Sequence, residues 1–304
     1  MESTRLSASG ATVSNRGQGG STSWQIALAT LGEPQALDRV RLLGDRSVKM
    51  RSLAIASSDE GTSRGAWLVG KREPIRAGLQ QLIEGTLGVP HRWLIRWLQG
   101  RWPRGPLTVH IPLDGSVDGM TLGIIAPLSP TRVALSEGPI PFDKASVSDF
   151  KALHAATGAQ GLSGCRLGFS AHNVNHVAIR WGLGLEALET TLAQRGYAEV
   201  CKGEVLPTLR ALMEGLPSSD ITFEAAYQPE PAAVFAVEIG PLPTGRVIGL
   251  SGALWGDAAK DAVTDTAKML VQRWTHRLRL EFDATGIKRT TALLTTHDVN
   301  RADW

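Results

Sequence analysis

Five stretches of this 304-residue chain read as β-hairpins, and they recur at nearly even intervals. They begin at Ser47, Leu107, Cys165, Ile221 and Arg277, so successive starts lie 56 to 60 residues apart. Each pairs two runs of alternating character around a short turn, as in "CRLGFSAHNVNHVAIRW", "ITFEAAYQPEPAAVFAVEIG" and "RLRLEFDATGIKRTTALLTTH". Such regularity marks a repeated supersecondary unit. The segments between the hairpins read as helices. "DKASVSDFKALHAATG" and "LEALETTLAQRG" end in Gly, "EVLPTLRALMEG" follows, and "DAAKDAVTDTAKMLVQRW" carries Trp274 at its end. "REPIRAGLQQLIEGTLGVPHRWLIRWLQG" places Trp93 and Trp97 on one helical face. "TGRVIGLSGALWG" fits neither class and reads as an irregular connection.

Ten antiparallel strands with helices between the pairs need a place to bury their apolar faces. Closing the sheet on itself removes both edges. With the helices outside, the apolar strand face packs beneath them and the other face lines a chamber. Ten strands enclose more room than eight, enough for a ligand. The sequence therefore predicts an α/β chain of αββα repeats: a closed ten-stranded antiparallel β-barrel surrounded by helices. Residues 1–22, polar and rich in Gly and Ser, are expected to be a disordered tail, and residues 23–304 a single barrel domain.

Alternation then assigns faces. Leu167, Phe169, Ile179 and Trp181 share the apolar side of the third hairpin, so Arg166 and Arg180 fall on the chamber side. The same reading nominates Lys49 and Arg51 on the first strand, His110 beside Thr108 in the second hairpin, and Arg279 in the last. Glu224, Glu238 and Glu281 alternate with apolar neighbours, and Glu281 stands beside Arg279 as an internal pair. Together these residues describe a chamber wall of cations and carboxylates.

Other classes find less support. Net charge is +3, with no block of five like charges, which argues against a nucleic-acid binder. No apolar run approaches the ~20 residues of a membrane span. Cys165 and Cys201 form no metal-ligand pattern and read as reduced, buried thiols of a cytoplasmic protein. The H-x3-H spacing of His172 and His176 flanks a turn and lacks a third ligand, so no metal site is assigned. "SDFK" lacks its β-lactamase-type partners, and "GLGLEAL" lacks the third glycine of a dinucleotide fingerprint.

Five antiparallel hairpins alternating with outer helices over about residues 45–300 resemble the prenyltransferase barrel of the ABBA aromatic prenyltransferases. The family has no short signature string, and the likeness rests on repeat organisation, chamber polarity and size. It implies transfer of a prenyl group from a prenyl diphosphate to an electron-rich aromatic acceptor: an indole, a phenol, or a Trp- or Tyr-containing small molecule or peptide. It implies no required cofactor, with Mg2+ admitted, and no nucleic-acid or membrane partner. An Asp-rich DDxxD motif, which the family lacks, is lacking here too.

A prenyl diphosphate carries about three negative charges, and cations in a poorly hydrated chamber hold it far more strongly than in water. The resemblance gives that role to Lys49, Arg51, His110, Arg166, Arg180 and Arg279. It makes Glu224, Glu238 and Glu281 the candidates to orient the acceptor and take its proton. One departure is plain. The family usually shields the allylic cation with tyrosines, and this chain has only Tyr197 and Tyr227, the latter on the apolar face. Tryptophan can substitute through cation–π contact, Trp67 and Trp255 being the least committed to a core. The rival readings are a barrel that binds an anionic or amphipathic small molecule without turnover, and an α/β enzyme of another kind.

Overall fold

The computed structural model describes residues 19–43, 48–70, 106–128, 143–157, 162–170, 173–197, 201–216, 221–227 and 233–295, together with positions 78, 81, 82 and 199. Ten strands close into one barrel: β1 (Val48–Ser58), β2 (Gly61–Gly70), β3 (Leu107–Pro112), β4 (Thr121–Leu128), β5 (Leu162–Ser170), β6 (Asn173–Leu183), β7 (Ile221–Tyr227), β8 (Val234–Ile239), β11 (Arg277–Asp283) and β12 (Gly286–Thr295). Their order around the barrel is β1-β12-β11-β8-β7-β6-β5-β4-β3-β2, and every neighbouring pair is antiparallel. The closing seam pairs β1 with β12, Ser52 opposite Thr295 through Ser57 opposite Thr290. The two-residue strands β9 (Leu242–Pro243) and β10 (Trp274–Thr275) form a separate small ladder.

Seven α-helices accompany the barrel among the described residues: α1 (Gly19–Leu31), α2 (Pro34–Leu42), α3 (Lys144–Ala156), α4 (Leu185–Gln194), α5 (Leu206–Met213), α6 (Thr244–Trp255) and α7 (Asp257–Met269). A π-helical turn, Cys201–Val205, leads into α5. The core lies between strands and helices, as the alternation required. Leu167, Phe169, Ile179 and Trp181 are all buried. Trp181 packs 6.1 Å from the Phe150 ring of α3 and donates its Nε1–H to His154 Nδ1 at 3.2 Å. Cys165 and Cys201 are free and buried in the same layer.

Two expectations are corrected. The first helix among the described residues runs Gly19–Leu31 and buries Trp24, Ala27 and Leu28. Residues 244–255 are a helix rather than an irregular connection. Its buried face is small (Thr244, Val247, Ser251), and Gly252 packs against the Lys260 stem of α7, so the apolar periodicity is muted. Trp274 belongs to β10 and is half exposed, not helical. Trp93 and Trp97 lie outside the described residues.

Helix α7 ends in a Schellman motif: Gln272 N–H donates to Ala267 O and Val271 N–H to Lys268 O. The motif needs a left-handed residue at its turn, and here it is Val271, at φ 54°. A β-branched residue there is strained by roughly 1–2 kcal/mol. Val271→Gly is therefore expected to stabilise the protein by about 1 kcal/mol, read as a rise in the urea midpoint. An unchanged or lower midpoint would show that the turn is not strained.

Candidate active site

The inner faces of the strands line a chamber of about 440 Å3. Strand register writes its wall in rows. One row runs Trp67–His110–Thr121–Gly168–His176 across β2 to β6. A second runs Arg180–Glu224–Ala236–Glu281–Arg289 across β6, β7, β8, β11 and β12. A third runs Glu238–Arg279–Thr291–Ala56–Ser63. The imidazole row meets the charged rows on β2 and β6, and Arg166 of β5 joins the charged groups from the imidazole side.

The charged arc is a lattice. Arg279 donates through Nε to Glu281 Oε1 at 2.7 Å, through Nη1 to Glu238 Oε1 at 3.1 Å and through Nη2 to Glu224 Oε1 at 2.6 Å. Arg166 donates to the same Glu224 oxygen, and Arg180 donates to Glu238 Oε2. All three carboxylates lie in a poorly hydrated wall. Burial by itself would raise their pKa values, but the facing guanidiniums outweigh it. Arg166, Arg279 and Arg180 hold Glu224 far below the usual carboxylate range. Arg180 and Arg279 hold Glu238 down to about 2. Arg279 and Arg166 lower Glu281. One oxygen is left over: Glu224 Oε2 is buried without a hydrogen-bond partner, 3.7 Å from Arg180 Nε.

The structure brings Arg166, Arg180, Arg279, His110, Glu224, Glu238 and Glu281 together in the chamber lining. It does not bring Arg51 there. On β1 the chamber side is taken by Ala54 and Ala56, and Arg51 shares the opposite side with the core residues Leu53 and Ile55. The pairing of β1 with β2 runs unbroken from Met50 to Ser58, so the shared parity of Arg51, Leu53 and Ile55 is enough to put Arg51 on the outer side. The Lys49 side chain and His172 lie outside the described part.

Alternation also missed residues. Arg289 lines the chamber and donates to Ser63 Oγ at 3.1 Å. It follows Lys288, so either parity offered a cation, and the ladder is irregular between Glu281 and Phe282. Trp67 is in the lining, whereas Trp255 donates to Thr290 Oγ1, a residue of the strand's other face. Tyr227 is buried in the outer core, 6.4 Å from the Phe150 ring.

Glycines explain the imidazole row. A Cβ on Gly65 would stand 2.1 Å from His110 Nε2, and one on Gly168 would stand 1.8 Å from His176 Cε1. The rings therefore occupy the space that a side chain at Gly65 or Gly168 would fill. Burial, with Arg166 nearby, pushes both imidazoles down to about 4, and burial with Arg277 does the same to His276. These values lie below the ordinary histidine value near 6.5. Between the two values the unfolded chain binds protons that the native state refuses, so stability falls as pH drops from about 6.5 to about 4. We expect the melting temperature to fall across that window, before the glutamates titrate. The double variant His110→Gln/His176→Gln should flatten the slope. A melting temperature level from pH 7 to pH 4 would contradict this.

Among the described residues no group of three or more His, Cys, Asp or Glu side chains is placed to hold a metal ion, and no helix is long and apolar enough to cross a membrane. No family model matches the sequence, and no curated protein matches it. Solved structures do. The ternary complex of prenyltransferase PriB with L-tryptophan and dimethylallyl thiolodiphosphate superposes with a TM-score of 0.62 at 13% identity, over 92% of this chain and 96% of that one. The 5-dimethylallyltryptophan synthase of Streptomyces coelicolor gives 0.58 at 12% identity, over 92% and 97%. AnaPT from Neosartorya fischeri gives 0.62 at 9% identity, over 90% and 91%. The fold of this chain is the prenyltransferase barrel.

Proposed function

We propose that this barrel is a soluble, cytoplasmic aromatic prenyltransferase. It moves a prenyl group from a prenyl diphosphate to an electron-rich aromatic acceptor: an indole, a phenol, or a Trp- or Tyr-containing compound. The observation that carries the reading is a chamber in which arginines stand beside Glu224 Oε2, a carboxylate oxygen that lies 3.7 Å from Arg180 Nε and accepts no hydrogen bond among the described residues. Such an oxygen suits an N–H or O–H donor on the acceptor. The solved barrels with tryptophan and a dimethylallyl thiolodiphosphate bound support the same pairing of ligands.

In this reading the C–O bond of the prenyl diphosphate breaks, and the departing charge is held by arginines. Arg279 has every donor nitrogen on a glutamate, so its part is to keep the lattice ionised. Arg180 is engaged by Glu238 and Glu224. The grip on diphosphate falls to Arg166, which gives one Nη nitrogen to Glu224, and to Arg289, both in the chamber lining. Trp67 offers its π face to the allylic cation. The acceptor, held through Glu224, attacks that cation, and a proton then leaves. Mg2+, where present, would take its ligands from the diphosphate oxygens.

The test is mass spectrometry of reactions that combine C5, C10 and C15 prenyl diphosphates with indoles, phenols and Trp or Tyr peptides. The expected outcome is a product heavier by one prenyl unit, with diphosphate released only when acceptor is present. Arg289→Ala should weaken prenyl diphosphate binding by about 1.5–3 kcal/mol, the range of a charge-assisted contact, and leave acceptor affinity unchanged. A second reading is a binding barrel without turnover, favoured by the three glutamates that offset most of the arginine charge. Ligand-dependent thermal stabilisation with no product would establish it.

A further inference from the structure

The reaction proposed above ends with a proton on an sp3 ring carbon, and the glutamates are poorly arranged to collect it. Glu238 has both oxygens on arginines, and Glu281 holds Arg279. Glu224 Oε2, which accepts no hydrogen bond among the described residues, is the natural anchor for the acceptor's own N–H or O–H. On β3, in the same chamber lining, stands His110. Its Nδ1 lies 3.0 Å from the carbonyl oxygen of Gly119, which fixes the tautomer: Nδ1–H donates, and Nε2 carries the lone pair. No other hydrogen bond is made by this ring among the described residues. His110 belongs to the chamber lining, and Gly65, having no Cβ, leaves the space beside Nε2 open, since a Cβ there would stand 2.1 Å from that nitrogen.

We propose that His110 Nε2 is the base that removes the ring proton after prenyl transfer. The inference rests on the prenyltransferase reading. The prenyl C–O bond breaks with its electron pair leaving on diphosphate, the acceptor carbon bonds to the allylic cation, and the arenium C–H proton passes to Nε2. Its electron pair restores the aromatic ring, and the imidazolium then gives the proton to water. The ring is neutral at neutral pH, since burial holds its pKa near 4. A weak base suffices, because an arenium C–H is a far stronger acid than an imidazolium. The carboxylates kept ionised by arginine and the imidazole kept neutral by burial thus divide the work of anchoring and deprotonation.

The discriminating variant is His110→Asn, whose amide N–H keeps the Gly119 contact and removes the base. His110→Ala serves for rescue with added imidazole. Turnover in both should fall roughly 10²-fold or more, with dissociation constants for both substrates unchanged. With acceptor deuterated at the reacting carbon, the kinetic isotope effect should rise above the wild-type value, and imidazole should restore His110→Ala. Wild-type turnover in His110→Asn would overturn the role, as would a loss that neither imidazole relieves nor deuterium deepens. If the wild-type protein makes no prenylated product from any substrate pair, the role falls together with the reading beneath it. If only the variants behave like wild type, the reading stands and His110 alone is excluded.

Discussion

Arg279→Met should destabilise the barrel by about 3–5 kcal/mol at neutral pH, the penalty for leaving buried charges without their partner. Arg279 is 7% exposed and supplies one donor to each of three glutamates. Its loss leaves Arg166 on Glu224 and Arg180 on Glu238, while Glu281 loses its one direct ion pair among the described residues. The sign of the pH dependence follows. In the wild type the three carboxylates titrate below their unfolded value, so their stabilisation is present above that value and lost as pH falls. In the variant, desolvation is less opposed and the carboxylate pKa values rise. The deficit should therefore be larger at pH 7.5 than at about pH 4.5, where a carboxylate can protonate instead of remaining buried and charged. Urea denaturation at the two pH values measures this. A loss under about 1 kcal/mol at pH 7.5 would mean that water already screens the lattice.

Phe235→Ala should cost a similar 3–5 kcal/mol by a different mechanism, the loss of buried surface plus the cavity left behind. Phe235 is fully buried on the outer face of β8, and its ring is a junction. Phe223 stacks on it at 5.6 Å, Phe282 lies at 6.1 Å, Tyr197 meets it edge-on at 5.2 Å and the Arg195 guanidinium sits 5.6 Å from its centroid. With Trp181 beyond Phe223, these rings bridge β6, β7, β8 and β11 beneath the helices. No single helix can shift to refill the space, because strands on both sides hold its walls. Phe235→Leu, which keeps most of the volume, should lose markedly less. Equal losses for Leu and Ala would show that ring contacts rather than filled volume set the cost.

The hairpin recurrence and the period-2 alternation were enough to specify ten antiparallel strands, a closed barrel and helices outside. Each depends on local spacing, and each strand's apolar face is written in its own residues. The same logic placed Arg166, Arg180 and Arg279 on the chamber wall and paired Arg279 with its neighbour Glu281, two positions along one strand. Alternation fixes two faces but not which one looks inward wherever a ladder slips. Arg51 shares the parity of Leu53 and Ile55 on an unbroken stretch of β1, so its outward side was legible along the strand, whereas Arg289 escaped notice beside Lys288, where the ladder is irregular between Glu281 and Phe282. A slip of one residue exchanges the faces, and a bulge appears in the pairing rather than along the strand. Only the closed barrel decided the rest. Glu224 meets Arg166 and Arg279 from strands 58 residues before it and 55 after it. Those three charges share a wall because β5, β7 and β11 curve around one chamber, and curvature sums many strand pairings that no single stretch of sequence contains.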